Sequence, residues 1–214
     1  FFLMIRPPPR SPRKASSAAS DVYKRQSSIR AHAPGADLGI VPIDLGSLVS
    51  TTAAAASVGE RIDAVICNAG VKAADRGART ADGLDLMVGT NFVGHFALIA
   101  RLGDVLADDA RVVAVGSLAH RFAEIDPATL AQPWTGPSLR QYGRSKAALM
   151  AFAFELNRRW RGSARSALCA HPGYAVDPLT PHRDGLAEVP TVTRALAALS
   201  PVSYTHLRAH ETRE

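Results

Sequence analysis

A chain of 214 residues, 47% hydrophobic and 21% charged, has room for one domain around one core, and this composition excludes the disordered and collagen-like classes. The net charge of +6 sits mostly at one end: residues 1–26 carry +5, residues 201–214 are neutral and residues 27–200 keep +1, so no basic nucleic-acid face is expected. No apolar run approaches the ~20 residues that cross a bilayer, and the opening Phe1-Phe2-Leu3-Met4-Ile5 stops at Arg6 and a proline cluster, which fits neither a membrane span nor a signal peptide.

Residues 1–26 hold no period of 2 or 3.6 long enough to bury a face. They and residues 201–214 resemble translated sequencing-adapter remnants and are expected to be non-native or disordered additions to a domain at 27–200. Within that stretch, apolar runs bounded by turn residues predict strands at 39–45, 62–67, 111–116 and 166–170. Longer segments at 47–58, 84–107 and 139–161 predict helices. The alternation predicts an α/β fold with a doubly wound parallel sheet. Ala64-Val65-Ile66-Cys67 and Val112-Val113-Ala114-Val115 are apolar throughout, as expected of strands covered on both faces. The helix at 139–161 is apolar nearly all round from Ala147 to Phe154, which predicts burial on more than one side. Cys67 and Cys169 lie in apolar segments and suit buried free thiols in a reducing, cytoplasmic compartment.

Five short signals carry chemistry. Asn68, Ala69 and Gly70 follow a buried strand, at the edge where an open α/β sheet binds ligands. Tyr142 and Lys146 are spaced i, i+4, one face of a helix, where an ammonium would lower the pKa of a phenol serving as general acid or base. Ser117 closes the run 112–116, and a hydroxyl there can donate to a substrate oxygen. Asn91 and Gly94 interrupt an apolar helix at a cost in helix propensity. His171-Pro172-Gly173-Tyr174 is a turn after the last strand.

Taken in order, Cys67-Asn68-Ala69-Gly70, Asn91-Phe92-Val93-Gly94-His95-Phe96, Ser117, Tyr142-x-x-x-Lys146 and Pro172-Gly173 resemble the short-chain dehydrogenase/reductase family over about residues 27–200. The resemblance implies an NAD- or NADP-dependent oxidoreductase acting on a small-molecule alcohol or carbonyl. It implies Tyr142 as acid/base, Lys146 lowering its pKa and holding the nicotinamide ribose, and Ser117 orienting the substrate. Asn91 would hold a water beside Lys146, and Asp44 would meet the adenine amine. Asn68, Ala69, Gly70, Pro172 and Gly173 would border the cofactor. Ser117-Leu-Ala-His120 and Tyr142-Gly-Arg-Ser-Lys146 are similar to the retinol-dehydrogenase-like branch, which implies a lipophilic substrate against a wall of Phe122, Pro133 and Trp134. A homodimer through the helices around Asn91 and Lys146 is implied as well.

Two departures stand out. Asp177 occupies the place of a family threonine, and no Thr-Gly-x-x-x-Gly-x-Gly turn occurs anywhere in the chain. That turn cradles the pyrophosphate, so the sequence predicts a partial sheet lacking the first two strands, no measurable binding of NAD or NADP in the micromolar range, and a chain inactive as written. In the family's strand order, segment 39–45 would take the marginal third place. A non-catalytic remnant or binding module is the alternative. The histidines show no H-E-x-x-H spacing and no Cys/His cluster, so no metal site is expected.

Overall fold

Residues 38–72 and 77–171 are described by the computed structural model of the chain. The first helix, α1 (Leu48–Ala56), starts where Ser47 turns its side chain onto the backbone N–H of Ser50, supplying an acceptor that the first turn lacks. Just before it, the Asp44 carboxylate accepts from Gly46 N at 2.8 Å and closes a tight turn. Of the expected strand at 39–45, only Asp44 is a bridge residue, and the segment joins none of the ladders among the described residues. Pro42 has no N–H to offer a neighbour, and Ile43 and Leu45, 4% and 1% exposed, read as strand because they are core residues.

Among the described residues, three strands form a parallel sheet in the order β1 (Ile62–Cys67), β2 (Leu106–Val115), β3 (Ser166–Ala170). Val65, Val112 and Ala167 stand in one row, and Cys67, Ala114 and Cys169 in another. Both rows face the helices. The intervening row of Ile66, Val113 and Leu168 looks the other way, with Ile66 58% exposed. The double-sided cover expected for these runs is therefore present on one face only among the described residues. β2 also begins earlier than expected, because the register passes from Ile62 opposite Leu106 to Ala64 opposite Arg111 and bulges residues 107–110. Leu106, Ala107 and Ala110 are buried and continue the apolar pattern of the preceding helix, which hides the boundary.

The helix expected at 84–107 comes in three pieces: α2 (Leu86–Val88), a π turn (Gly89–Val93) and α3 (Gly94–Arg101). Asp85 caps its start, accepting from Met87 N and Val88 N at 3.0 Å each. Gly94 lies so close to the preceding chain that a Cβ there would sit 2.3 Å from Leu45 O. The long helix α4 (Ser138–Arg159) packs Ala148, Leu149 and Ala153 into the core, yet Phe154 is 53% exposed, so the apolar run 147–154 is buried on one side and not all round. Its Phe152 meets Phe92 and Phe96 of the π turn and α3 in an aromatic cluster with ring centroids 5.3–6.5 Å apart. Cys67 and Cys169 are free thiols, as expected. No described helix is long and apolar enough to cross a membrane.

Candidate active site

The carboxyl ends of β1 and β2 and one face of α4 meet at a single edge of the sheet. Leaving β1, the chain turns through Asn68, Ala69 and Gly70, with Asn68 N on Ile66 O at 3.0 Å. This turn is held by the helix beneath it. Asn91, fully buried in the π turn, accepts from Val71 N at 2.7 Å and donates to Val71 O at 3.0 Å. One helical turn on, His95 donates from Nε2 to Ala69 O at 2.9 Å. That bond fixes the tautomer, and Nδ1 is buried with no partner among the described residues. Burial holds the His95 imidazole down at about 4, so it is neutral near pH 7.

The remaining amide hydrogen of Asn91 goes to Ser145 Oγ at 2.9 Å, and Ser145 in turn donates to Tyr142 O at 2.8 Å. The turn after β1 and the helix that carries the tyrosine are thereby tied through two buried side chains. Sequence reasoning passed over Ser145 and the anchoring role of His95. The spacing Asn91…His95 was the available signal, since i, i+4 puts both groups on one helix face. Asn91 spends its side chain on Val71 and Ser145, and its Oδ1 and Lys146 Nζ both border the space beside Gly70.

Lys146 donates from Nζ to Val115 O at 2.9 Å, which leaves two N–H groups. Burial lowers its ammonium to about 8, with the neighbouring Cys67 thiol pulling the other way. Cys67, buried beside that cation, is pushed up to about 12 and stays protonated. A Cβ at position 70 would lie 3.1 Å from Asn91 Oδ1 and 3.5 Å from Lys146 Nζ, so the space beside Gly70 is filled by the site's own side chains. Gly70 is small because of these neighbours, a reason the strand-end pattern alone did not show.

Tyr142 sits with its ring centroid 5.9 Å from Lys146 Nζ. Burial raises the phenol above its ordinary value, and the nearby Ser117 hydroxyl opposes the rise by favouring the phenolate. Ser117 begins a 3₁₀ turn (Leu118–Phe122), accepting from Ala119 N at 3.3 Å, and its carbonyl accepts from His120 Nδ1 at 2.6 Å. Gly143 lets this turn rest on α4, since a Cβ there would lie 2.3 Å from Ala119 O. Ser117, Tyr142, Lys146, Asn91 and residues 68–70 thus share one edge.

Asp44 stands apart from this group. Its carboxylate closes the Gly46 turn and its backbone N–H donates to Ser50 Oγ at 2.9 Å, while Gly46 packs toward Thr90 beside Asn91. His171 ends the described chain after β3, and Pro172, Gly173 and Asp177 lie outside the described residues. Phe122 and Trp134 do line a common cleft of about 540 Å³ but Pro133 does not, and the wall also carries Arg121, Arg140 and Arg144. No group of three or more His, Cys, Asp and Glu suited to a metal exists among the described residues.

The two remaining N–H groups on Lys146, beside a glycine turn at a strand end, form a donor set suited to the hydroxyls of a ribose. No protein-family profile matches the chain. Over 175 residues it is 35% identical to human retinol dehydrogenase 13, covering 79% of this chain and 50% of that protein. Over 179 residues it is 34% identical to mouse polyprenol dehydrogenase, covering 77% and 53%. The chain spans about half the length of these curated relatives. Among solved structures, an uncharacterized protein from Mycobacterium paratuberculosis superposes with a TM-score of 0.62 at 36% identity, over 72% of this chain and 57% of that one. The NADP complex of Pseudomonas aeruginosa RhlG shares the fold, with a TM-score of 0.60 at 24% identity over 92% and 70%.

Proposed function

The chain belongs to the short-chain dehydrogenase/reductase family, and on that premise we propose that it interconverts an alcohol and a carbonyl with NAD or NADP, Tyr142 serving as acid/base. The observation that carries this is the convergence of Ser117, Tyr142 and Lys146 at the carboxyl ends of β1 and β2, with the Tyr142 ring centroid 5.9 Å from Lys146 Nζ and Ser117 near enough to the phenol to favour its ionised form. The cofactor, when bound, supplies or takes the hydride. Lys146 and the turn of Asn68, Ala69 and Gly70 would hold it, with Asp44, Pro172 and Gly173 on its border. Ser117 holds the substrate oxygen in place, and Tyr142 gives that oxygen a proton in reduction or takes one in oxidation. Asn91 and Ser145 keep the cofactor turn and the Tyr142 helix in register.

A lipophilic alcohol is the substrate class we favour, supported by the names of the retinol and polyprenol dehydrogenases among the relatives. The partner inferred for the exposed Phe96 and Phe154 is a second copy of the chain, and sedimentation velocity of Phe96→Ser against the parent checks it: an unchanged dimer population rejects this face. The alternative reading is a binding module without cofactor chemistry. One pair of measurements separates the two. Under the oxidoreductase reading, NADPH titration gives weak but saturable binding, Tyr142→Phe abolishes hydride transfer and leaves that affinity within a few-fold, and Lys146→Met damages both. Turnover by the Phe variant within tenfold of the parent would remove Tyr142 from the chemistry, and no binding at millimolar NADPH would favour the module.

A further inference from the structure

The cleft between the 118–137 connection and the start of α4 is lined by none of Ser117, Tyr142 and Lys146. Its volume of about 540 Å³ falls in the range of small-molecule sites. At its wall stands Arg144, 4% exposed. The guanidinium lies 4.6 Å over the Trp134 ring, donates to Gln141 Oε1 at 3.1 Å and to Thr129 Oγ1 at 3.3 Å, and is held rigid by all three. Those partners are neutral. The carboxylate nearest in this chain of bonds is Asp126, one hydroxyl away, because Thr129 Oγ1 donates to Asp126 Oδ2 at 2.9 Å. No ion pair to Arg144 is formed among the described residues. A guanidinium taken out of water without a counter-ion carries an uncompensated desolvation cost.

Charges around the rim narrow what would offset that cost. The lining carries Arg121, Arg140 and Arg144 against Glu124 and Asp126, one net positive charge. A monoanion neutralises it, whereas a phosphate dianion overshoots and meets the two carboxylates. Phe122, Ile125 and Trp134 add an apolar wall, and Phe122 is 68% exposed and Ile125 38% exposed at present. A guanidinium fork presented by stacking matches a carboxylate in two-point fashion. We propose that this cleft is a second binding site, separate from the hydride-transfer site, for a small carboxylate with an apolar body, its carboxylate on Arg144 and its body against Phe122, Ile125 and Trp134.

The full chain tests this without any cofactor. Trp160→Phe leaves Trp134 as the sole tryptophan, and its fluorescence is titrated with octanoate, with neutral octanamide and with inorganic phosphate. The expected result is a saturable response to octanoate, at least tenfold weaker with octanamide and with phosphate, as loss of a charge-assisted bond implies. Arg144→Gln should weaken octanoate binding about tenfold or more. Since Arg144 also ties the connection to α4, the exposed Arg140→Gln gives a second reading: a few-fold loss and a shallower dependence on salt, with the melting curve unchanged. Tyr142→Phe should leave octanoate binding as it is, so failure here and failure of the oxidoreductase reading are told apart. Equal responses to octanoate and octanamide, or to octanoate and phosphate, or an Arg140→Gln variant that binds like the parent, would overturn the proposal.

Discussion

Replacing Gly143 by Ala would probe the spacing between Ser117 and Tyr142 without touching either. The added methyl carbon would start 2.3 Å from Ala119 O and 3.0 Å from Ala119 C, both backbone atoms that cannot rotate aside. Carbon contacts to a carbonyl oxygen settle near ~3.3–3.6 Å, so α4 and the 3₁₀ turn must separate by about 1 Å. Overpacking of this kind costs about 1–3 kcal/mol, and the better helix propensity of Ala returns about 1 kcal/mol, leaving a net loss of up to about 2 kcal/mol. For a chain of this size that lowers the midpoint of a thermal melt by up to about 8 °C. The chemical consequence should be larger, because Ala119 is bonded to Ser117 and moves with it, and a displacement of 1 Å between reacting groups costs on the order of 100-fold in rate. A spectrophotometric titration of the phenol gives an independent reading. Ser117 opposes the upward shift of Tyr142, so drawing it away should raise that pKa further. A variant that melts within about 1 °C of the parent and titrates Tyr142 unchanged would refute the claim that Gly143 sets this distance.

Two further outcomes follow from the bonds beneath the site. His95 is held at about 4 from an ordinary 6.5, so between those values the unfolded chain binds the extra proton and stability falls as pH drops, by on the order of 3 kcal/mol across the window. His95→Gln, which can keep a donor toward Ala69 O, should flatten this acid limb by one proton in urea unfolding curves taken across the window; an unaltered slope would contradict the assignment. Ser145→Ala strips Asn91 of an acceptor and Tyr142 O of a donor, at about 1–3 kcal/mol, and should speed amide exchange at Val71 more than at β2. Equal protection of Val71 in both proteins would show that the tie does not hold the turn.

The helices and parallel strands that frame the site were legible because their signals are local: an all-apolar run between turn residues, or a periodic one after a cap. Segment 39–45 was not, since a buried extended chain and a central strand present the same alternation, and only pairing separates them. The boundary near 106 was lost for a related reason, with Leu106, Ala107 and Ala110 buried whichever element they join. Within the site, Tyr142, Lys146 and Ser117 announce themselves by residue type and strand-end position. His95 reaches a backbone carbonyl 26 residues distant in sequence and Ser145 is tied to Asn91, 54 residues away, and the sequence around each does not encode that distant partner.

The π turn at Gly89–Val93 changes what an insertion or deletion would mean here. A π turn accommodates one residue more than the α geometry around it. Removing one residue from it would relax the backbone to an ordinary helix and rotate everything on one side against the other by about 100°. Asn91 and His95 would then no longer address Val71 and Ala69 together, although every residue type in the site had been kept. Length in this segment is therefore an angular variable, and two chains with the same five signals but one residue more or fewer between Asp85 and Gly94 would present differently oriented turns to a ligand.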